Sequence, residues 1–153
     1  MTHNGETPFD IQPHYEPVGA TDPRDLTLPL YGATFSQALS RFFRSYARFS
    51  GRASRSEYWW IQLVITVATI LCIAFIVTAG DNETLSLMSL VAVLVFALVC
   101  MIPAWALMVR RLHDADLSGW LSLLTVLPYV GSIAPIVFGV LPAKPYGERF
   151  DRR

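Results

Sequence analysis

The fold is decided by residues 58–109, which read YWWIQLVITVATILCIAFIVTAG, then DNE, then TLSLMSLVAVLVFALVCMIPAWALMV. The first stretch, 58–80, holds 23 uncharged residues and the second, 84–109, holds 26. At about 1.5 Å per residue, a helix of either length exceeds the roughly 30 Å hydrocarbon core of a bilayer. We therefore predict an all-α integral membrane protein in which two spans form a hairpin around a short acidic turn at 81–83.

The composition also indicates a membrane protein. Charged residues make up 16% of the chain, against about 25% in an average soluble domain, and the mean hydropathy is +0.41. The 12 basic and 12 acidic residues cancel overall but are sorted along the chain. Residues 1–35 carry a net charge of −4 (five acids, one base), and residues 36–58 carry +4 (five arginines, one acid). This pattern excludes a soluble globule and a nucleic-acid-binding protein.

A third uncharged stretch, residues 117–143, is interrupted by prolines and glycines. One interpretation is a single tilted and kinked span, favoured by its length and by Trp120 as an interfacial anchor. The other is a re-entrant hairpin that turns at 128–131, because each half alone is too short to cross. The sequence thus predicts three transmembrane segments, the third crossing or re-entering.

The basic residues predict the orientation of the spans. The five arginines of residues 36–58 lie just before the first span, Arg110 and Arg111 follow the second, and the charged residues of the intervening turn are both acidic. By the positive-inside rule, the N-terminus and the predicted loop at 110–116 are cytoplasmic. A third crossing would place the basic residues of the C-terminal tail outside, so the side of the C-terminus stays open: Lys144, Arg149, Arg152 and Arg153.

Two segments precede the first span. Residues 1–33 are acidic and contain five prolines, which predicts a disordered cytoplasmic tail. Residues 34–50 predict an amphipathic helix, with a capping box of Thr34 and Gln37 and an end at Gly51. Aromatic residues fall on one face, and Arg41, Arg44 and Arg48 lie largely on the other. Such a helix lies in the headgroup region or, alternatively, packs on the protein's own spans.

Charged residues gather where the first span begins and the second ends. A second capping box, Ser54 with Glu57, starts the first span, and the hairpin brings the residues after 109 back to the same depth. We expect a polar network or lipid-headgroup site here, with pairs of Arg55 with Glu57 and of the 110–111 arginines with nearby aspartates. Its members are Arg52, Arg55, Glu57, Arg110, Arg111, His113, Asp114, Asp116 and Ser118.

The same residues do not predict a catalytic or metal site. Neighbouring helical residues point about 100° apart, so His113 and Asp114 do not form a ready dyad. One histidine and two aspartates within four positions match no standard metal site. Ser118 lacks the glycine elbow of serine hydrolases, and Asp116 or Ser118 is better explained as a helix N-cap. We predict no catalytic residue, no cofactor and no metal.

Two motifs resemble those of a known family. These are Phe49-Ser-Gly-Arg-Ala-Ser-Arg-Ser-Glu-Tyr-Trp-Trp60 and Arg110-Arg-Leu-His-Asp-Ala-Asp-Leu-Ser-Gly-Trp120. Together with Pro128 and Gly131, they resemble the domain of unknown function 805 family, the YhaH-like small inner-membrane proteins of bacteria. The resemblance covers about residues 39–151, departs at Leu121 and after residue 142, and implies a bacterial inner-membrane location but no reaction.

These observations favour a structural, lipid-interacting or partner-binding membrane component. The expected partners are the bilayer, anionic lipid headgroups, and another membrane protein or a second copy, with no nucleic acid. The alternative is an oligomeric transporter or channel subunit, although the predicted spans contain no ionisable residue of the kind that lines such pathways. A membrane-embedded enzyme is less favoured.

Overall fold

The computed structural model describes residues 18–80 and 82–151, and every regular element in that part of the chain is helical. The predicted all-α fold class is confirmed. The described residues form four α-helices and two 3₁₀ helices: α1 (Phe35–Arg44), α2 (Arg55–Ala79), α3 (Glu83–Asp114), the hairpin 3₁₀ helix (Gly119–Val126), α4 (Val130–Val140) and the C-terminal 3₁₀ helix (Pro145–Phe150).

Helices α2 and α3 are long and apolar enough to cross a membrane, with 25 and 32 residues, and they pack against each other. Only 6% of the most apolar window of each helix is buried within the protein. A core helix of a soluble protein would be mostly buried, so the exposure of these side chains fits helices surrounded by lipid.

Pro103 lies inside α3 without ending it. Proline has no N–H, so the carbonyl one turn earlier, that of Val99, loses its helical donor. The hydroxyl of Tyr46 donates to this carbonyl at 2.7 Å. This carbonyl is thus satisfied by the side chain of a residue that follows α1.

The predicted loop at 110–116 is wrong for residues 110–114, which form the last turns of α3. Arg111 and Asp114 lie three positions apart and form an ion pair of 2.7 Å, which supports the helical conformation. The helix ends at Asp114 with Ala115 as its C-cap residue, and Asp116 then adopts a φ of 58°.

The third uncharged segment is a broken hairpin and not a single helix. The chain reverses between the hairpin 3₁₀ helix and α4, and Tyr129 there has a φ of 67°. The start of α4 lies close to the hairpin 3₁₀ helix at Gly131. Glycine is needed there, because a Cβ atom at that position would lie 2.3 Å from the carbonyl oxygen of Thr125. At about 1.5 Å per residue, the 11 residues of α4 extend only about 16 Å, which is too short to cross.

Helix α1 has the predicted capping box of Thr34 and Gln37 but ends at Arg44, six residues before the predicted end at residue 50. The chain turns at Ser45, and Tyr46 reaches α3 as described above. Ala38 and Phe42 pack against the protein, so α1 makes the contacts with the protein's own helices that the alternative describes, and its position in the headgroup region stays a prediction. The predicted separation of an aromatic face from an arginine face is wrong at Arg41, because this side chain is buried.

Residues 18–33 contain no helix or strand, but the predicted disorder is wrong for them; residues 1–17 lie outside the described part. Leu30 and Ala33 are buried, and the N–H of Ala20 donates to the carbonyl of Pro29 at 2.8 Å. Backbone groups of this segment are hydrogen-bonded to α2, since Ala33 donates to Ser56 Oγ at 2.9 Å. Prolines exclude regular structure but leave carbonyls that side chains elsewhere can bind.

The buried apolar residues gather at one end of the molecule, where α2 begins and α3 and α4 finish. We call this the polar end, because the buried charges lie there too. One apolar cluster joins α1, α2 and α3, and a second joins α3 to α4 through Leu112, Ala134 and Phe138. Among the described residues, both apolar clusters therefore lie at or near the polar end, while Ala79 is buried at the far end of α2.

Candidate functional site: the buried arginine layer

The backbone itself brings the elements of the polar end together. The N–H of Ala53, just before α2, donates to the carbonyl of Arg110 in α3 at 3.0 Å. Lys144, after α4, donates its N–H to the carbonyl of Asp114 at 2.9 Å, and Gly51 donates to the carbonyl of Phe150 at 3.0 Å. The start of α2, the end of α3 and the C-terminal segment thus form one layer.

Asp114 is the centre of this layer, and its side chain is fully buried. One carboxylate oxygen accepts from Arg111 at 2.7 Å, and the other accepts from the hydroxyl of Tyr31 at 2.8 Å. Arg52 lies 3.7 Å from the same carboxylate. A buried carboxylate persists only when it is paired and hydrogen-bonded, and Asp114 meets both conditions.

Arg52 joins the layer to the C-terminal end of the chain. Its guanidinium grips Asp151 as a fork, with Nε at 2.9 Å and Nη2 at 2.7 Å from carboxylate oxygens, and it also donates to the carbonyl of Val18. Burial acts to lower the pKa of Arg52, but the hydrogen bonds and charge of Asp151 outweigh it, and the pKa is raised. Arg52 therefore stays charged and connects both termini of the described chain.

Glu57 forms the second centre. It completes the predicted capping box with Ser54 and accepts from the N–H of Leu30 at 3.1 Å, while its other oxygen pairs with Arg41. Arg41 also donates to three backbone carbonyls of the N-terminal segment, those of Pro23, Asp25 and Leu28. The predicted pair of Arg55 with Glu57 is wrong, because Arg41 is the partner of Glu57.

Arg55 and Arg111 instead bind the end of α4. Arg55 donates to the carbonyls of Val140 at 2.7 Å and Leu141 at 2.9 Å, and Arg111 also donates to Leu141. The last carbonyls of a helix lack helical donors and carry partial negative charge, so cations stabilise them. Two arginines thereby hold the returning arm of the hairpin at the polar end.

The aromatic run at the start of α2 makes further contacts. Tyr58 donates to the carbonyl of Pro135 at 2.9 Å, and Trp59 donates to that of Gly139 at 3.2 Å. A Cβ atom at Gly139 would lie 2.7 Å from the Trp59 ring, so glycine is needed for this packing. Trp60 donates to the carbonyl of Ala33 at 3.0 Å. These residues thus hold α4 and the N-terminal segment against the start of α2.

Arg110 differs from the other buried arginines. It is 2% exposed, yet none of the described carboxylates lies within 4 Å of it. Its Nε makes only a long contact of 3.4 Å with the carbonyl of Ala106, and its Nη2 has no hydrogen-bond partner among the described residues. The predicted pairing of Arg110 with an aspartate is therefore wrong.

The remaining predicted residues lie at the edge of the layer. His113 contacts the carbonyl of Gly51 through Nδ1 at 3.1 Å and stacks on Phe150. Asp116 pairs with Arg149 at 2.9 Å rather than with Arg110 or Arg111. Ser118 occupies the N-cap position of the hairpin 3₁₀ helix without making the side-chain bond of a cap. Across the described residues, no group of three or more potential ligands could hold a metal ion.

Sequence reasoning missed Tyr31, Arg41 and Asp151 as members of the layer. Tyr31 and Asp114 are 83 positions apart, and Arg52 and Asp151 are 99 apart, so no local spacing connects them. Arg41 lies in the segment predicted as an amphipathic helix, and its place on the arginine face of that helix suggested an exposed side chain. A count of opposite charges near α2 could not tell Arg41 from Arg55 as the partner of Glu57.

The fold and the buried arginine layer define the class of the protein, which is a helical membrane protein with a charged layer at one end. A family model described as "Protein of unknown function (DUF805)" matches residues 46–152. The chain belongs to this family. The match includes all nine predicted layer residues but neither Arg41 nor the segment at 18–33, so the contacts of that segment lie on an extension of the matched region.

Two relatives come from Escherichia coli K12. Inner membrane protein YhaH is 34% identical over 116 residues, covering 72% of this chain and 89% of the relative. Inner membrane protein YhaI is 35% identical over 96 residues, covering 62% of this chain and 75% of the relative. No solved structure gives a significant match. The predicted family and membrane location are confirmed, and neither relative's name states an enzymatic activity.

Proposed function

We propose that the chain is a multi-pass inner-membrane protein without catalytic activity, a structural component that binds lipid and partner proteins. The observation that carries this proposal is the use of the polar end. Asp114 and Glu57 are each saturated by arginines and backbone or hydroxyl donors, and His113 is held by Gly51 and Phe150. Acidic and basic side chains that are paired and hydrogen-bonded within the protein in this way hold helix ends together and are not arranged to bind a substrate.

The proposed topology has two crossing helices and a re-entrant hairpin. The end of α4 is bound by arginines of α2 and α3, which supports a return of the chain to the side on which it entered. The +4 segment at 36–58 and the basic C-terminal tail then lie on one side. By the positive-inside rule that side is the cytoplasm, so both termini are cytoplasmic.

The partners of this component follow from its surface. The exposed apolar faces of α2 and α3 contact lipid acyl chains, another membrane protein or a second copy. Exposed arginines near the polar end, such as Arg44 and Arg149, attract anionic headgroups. The alternative of a transport pathway draws no support from α2 or α3. Residues 58–80 and 84–109 contain no acidic or basic side chain that could relay an ion or a proton.

The structural role predicts a large effect of Asp114→Ala. Removing one partner of a buried ion pair leaves Arg111 uncompensated, which costs about 3–5 kcal/mol. We expect a clearly lower melting temperature in detergent and less protein in the membrane. Asp22→Ala is the matched control, because Asp22 is exposed and only caps a local turn. An Asp114→Ala protein that melts like the wild type would contradict the proposed function.

A further inference from the structure

A groove of about 830 Å³ opens beside the arginine layer, between α3, the hairpin 3₁₀ helix and the C-terminal 3₁₀ helix. Its wall on α3 is formed by Trp105, Val109 and His113, which are spaced four residues apart and so share one face. Over these eight positions, about 12 Å, the wall changes from an imidazole at the polar end to an indole deeper along the helix.

The opposite wall fits closely against this stripe. A Cβ atom at Gly119 would lie 2.7 Å from Val109 Cγ1 and 3.2 Å from His113 Nε2, so glycine lets the hairpin 3₁₀ helix approach. At the deeper end, Trp105 donates to Ser122 Oγ at 2.9 Å, which fixes the indole. The groove is thus a built feature whose lower part is apolar.

The mouth of the groove carries one exposed guanidinium. Arg149 lines it with its side chain 62% exposed and lies 4.7 Å above the Phe150 ring, and the His113 ring stacks on that same ring at 3.9 Å. Arg149 uses one nitrogen to pair with Asp116, and a guanidinium has further N–H donors for a second anion. No acidic residue lines the groove itself.

We propose that this groove binds one anionic phospholipid, with its phosphate at Arg149 and one acyl chain along the wall toward Trp105. The change from a guanidinium with further N–H donors at the mouth to an apolar floor matches the phosphate and acyl chain of such a lipid, and Arg149 favours an anionic over a zwitterionic headgroup. The proposal rests on the proposed function, in which the polar end lies at the membrane surface, and it names the lipid class and the place of binding.

The test uses the full chain in detergent with a phosphatidylglycerol analogue that carries a diazirine in its acyl chain. Illumination should give adducts concentrated in residues 105–123, and excess phosphatidylglycerol should abolish them, whereas phosphatidylcholine or inorganic phosphate should not. Adducts spread evenly over α2 and α3, or equal competition by phosphatidylcholine, would overturn the proposal.

Three variants sharpen the result. Arg149→Gln should weaken competition by phosphatidylglycerol about tenfold, because it removes a charge-assisted hydrogen bond. Arg149→Lys should restore part of the affinity, and Arg24→Gln, an exposed arginine of the N-terminal segment, should change nothing. Equal affinity of Arg149→Gln and the wild type would contradict the assigned phosphate position. Because Asp114→Ala tests stability and these variants test lipid binding, failure of one proposal is distinguishable from failure of the other.

Discussion

The two ends of the α2–α3 hairpin differ in what the protein encloses, because the polar end buries charged side chains and the rest of the hairpin exposes apolar ones. At the polar end Arg52, Arg111 and Asp114 are almost completely enclosed by protein, whereas farther along the hairpin leucines, isoleucines and valines are exposed. In water this arrangement would be unstable on both counts. It is reasonable when lipid covers the apolar faces of α2 and α3 and the protein itself pairs these three buried charges near the membrane. The polar end therefore supplies the specificity of the fold, and the apolar faces supply membrane anchorage.

The strongest way to sharpen this comparison uses two adjacent arginines. Arg111→Met should lower stability by about 3–5 kcal/mol, because it leaves Asp114 with a buried charge and a lost partner. Arg110→Met should be neutral or mildly stabilising, since Arg110 is buried without a nearby carboxylate. Melting temperatures in detergent would measure both. If Arg110→Met lowers the melting temperature as much as Arg111→Met does, Arg110 has a partner that is not among the described contacts.

A second pair compares burial by protein with exposure to lipid. Leu112 is 0% exposed and packs against α4, so Leu112→Ala should cost about 2–5 kcal/mol through the cavity it leaves. Leu94 is 53% exposed on α3, and Leu94→Ala should change stability by less than about 0.5 kcal/mol. Denaturation in mixed micelles provides the measurement. Equal losses at the two positions would break the distinction between the ends.

The elements of the fold were predictable where the signal is local. Both capping boxes, Thr34 with Gln37 and Ser54 with Glu57, form as predicted, because each depends on residues three positions apart. The apolar length of α2 and α3 was equally readable. The end of α3 was not, because an ion pair within the helix stabilises a charged turn that resembles a loop in sequence.

The candidate site was predictable as a region but not as a set of pairs. All nine predicted residues lie at or near the polar end, because the α2–α3 hairpin brings residues 52–57 and 110–118 together. Their partners depend on long-range packing. Arg55 binds the end of α4, Glu57 binds Arg41, and Asp151 binds Arg52, each through a contact that only the folded chain creates. Residues 18–33 of the Pro-rich segment are held in place for the same reason, since Arg41 binds three of their carbonyls.

The central claim is that the segment after α3 enters the membrane and returns to the polar end. Reporter fusions test it directly, with a fluorescent protein that folds only in the cytoplasm and a phosphatase that is active only outside it. We expect cytoplasmic fluorescence from fusions at either terminus, and phosphatase activity only from an insertion in the turn at 81–83. Phosphatase activity from a fusion after residue 153 would mean that the segment crosses, and would contradict the account.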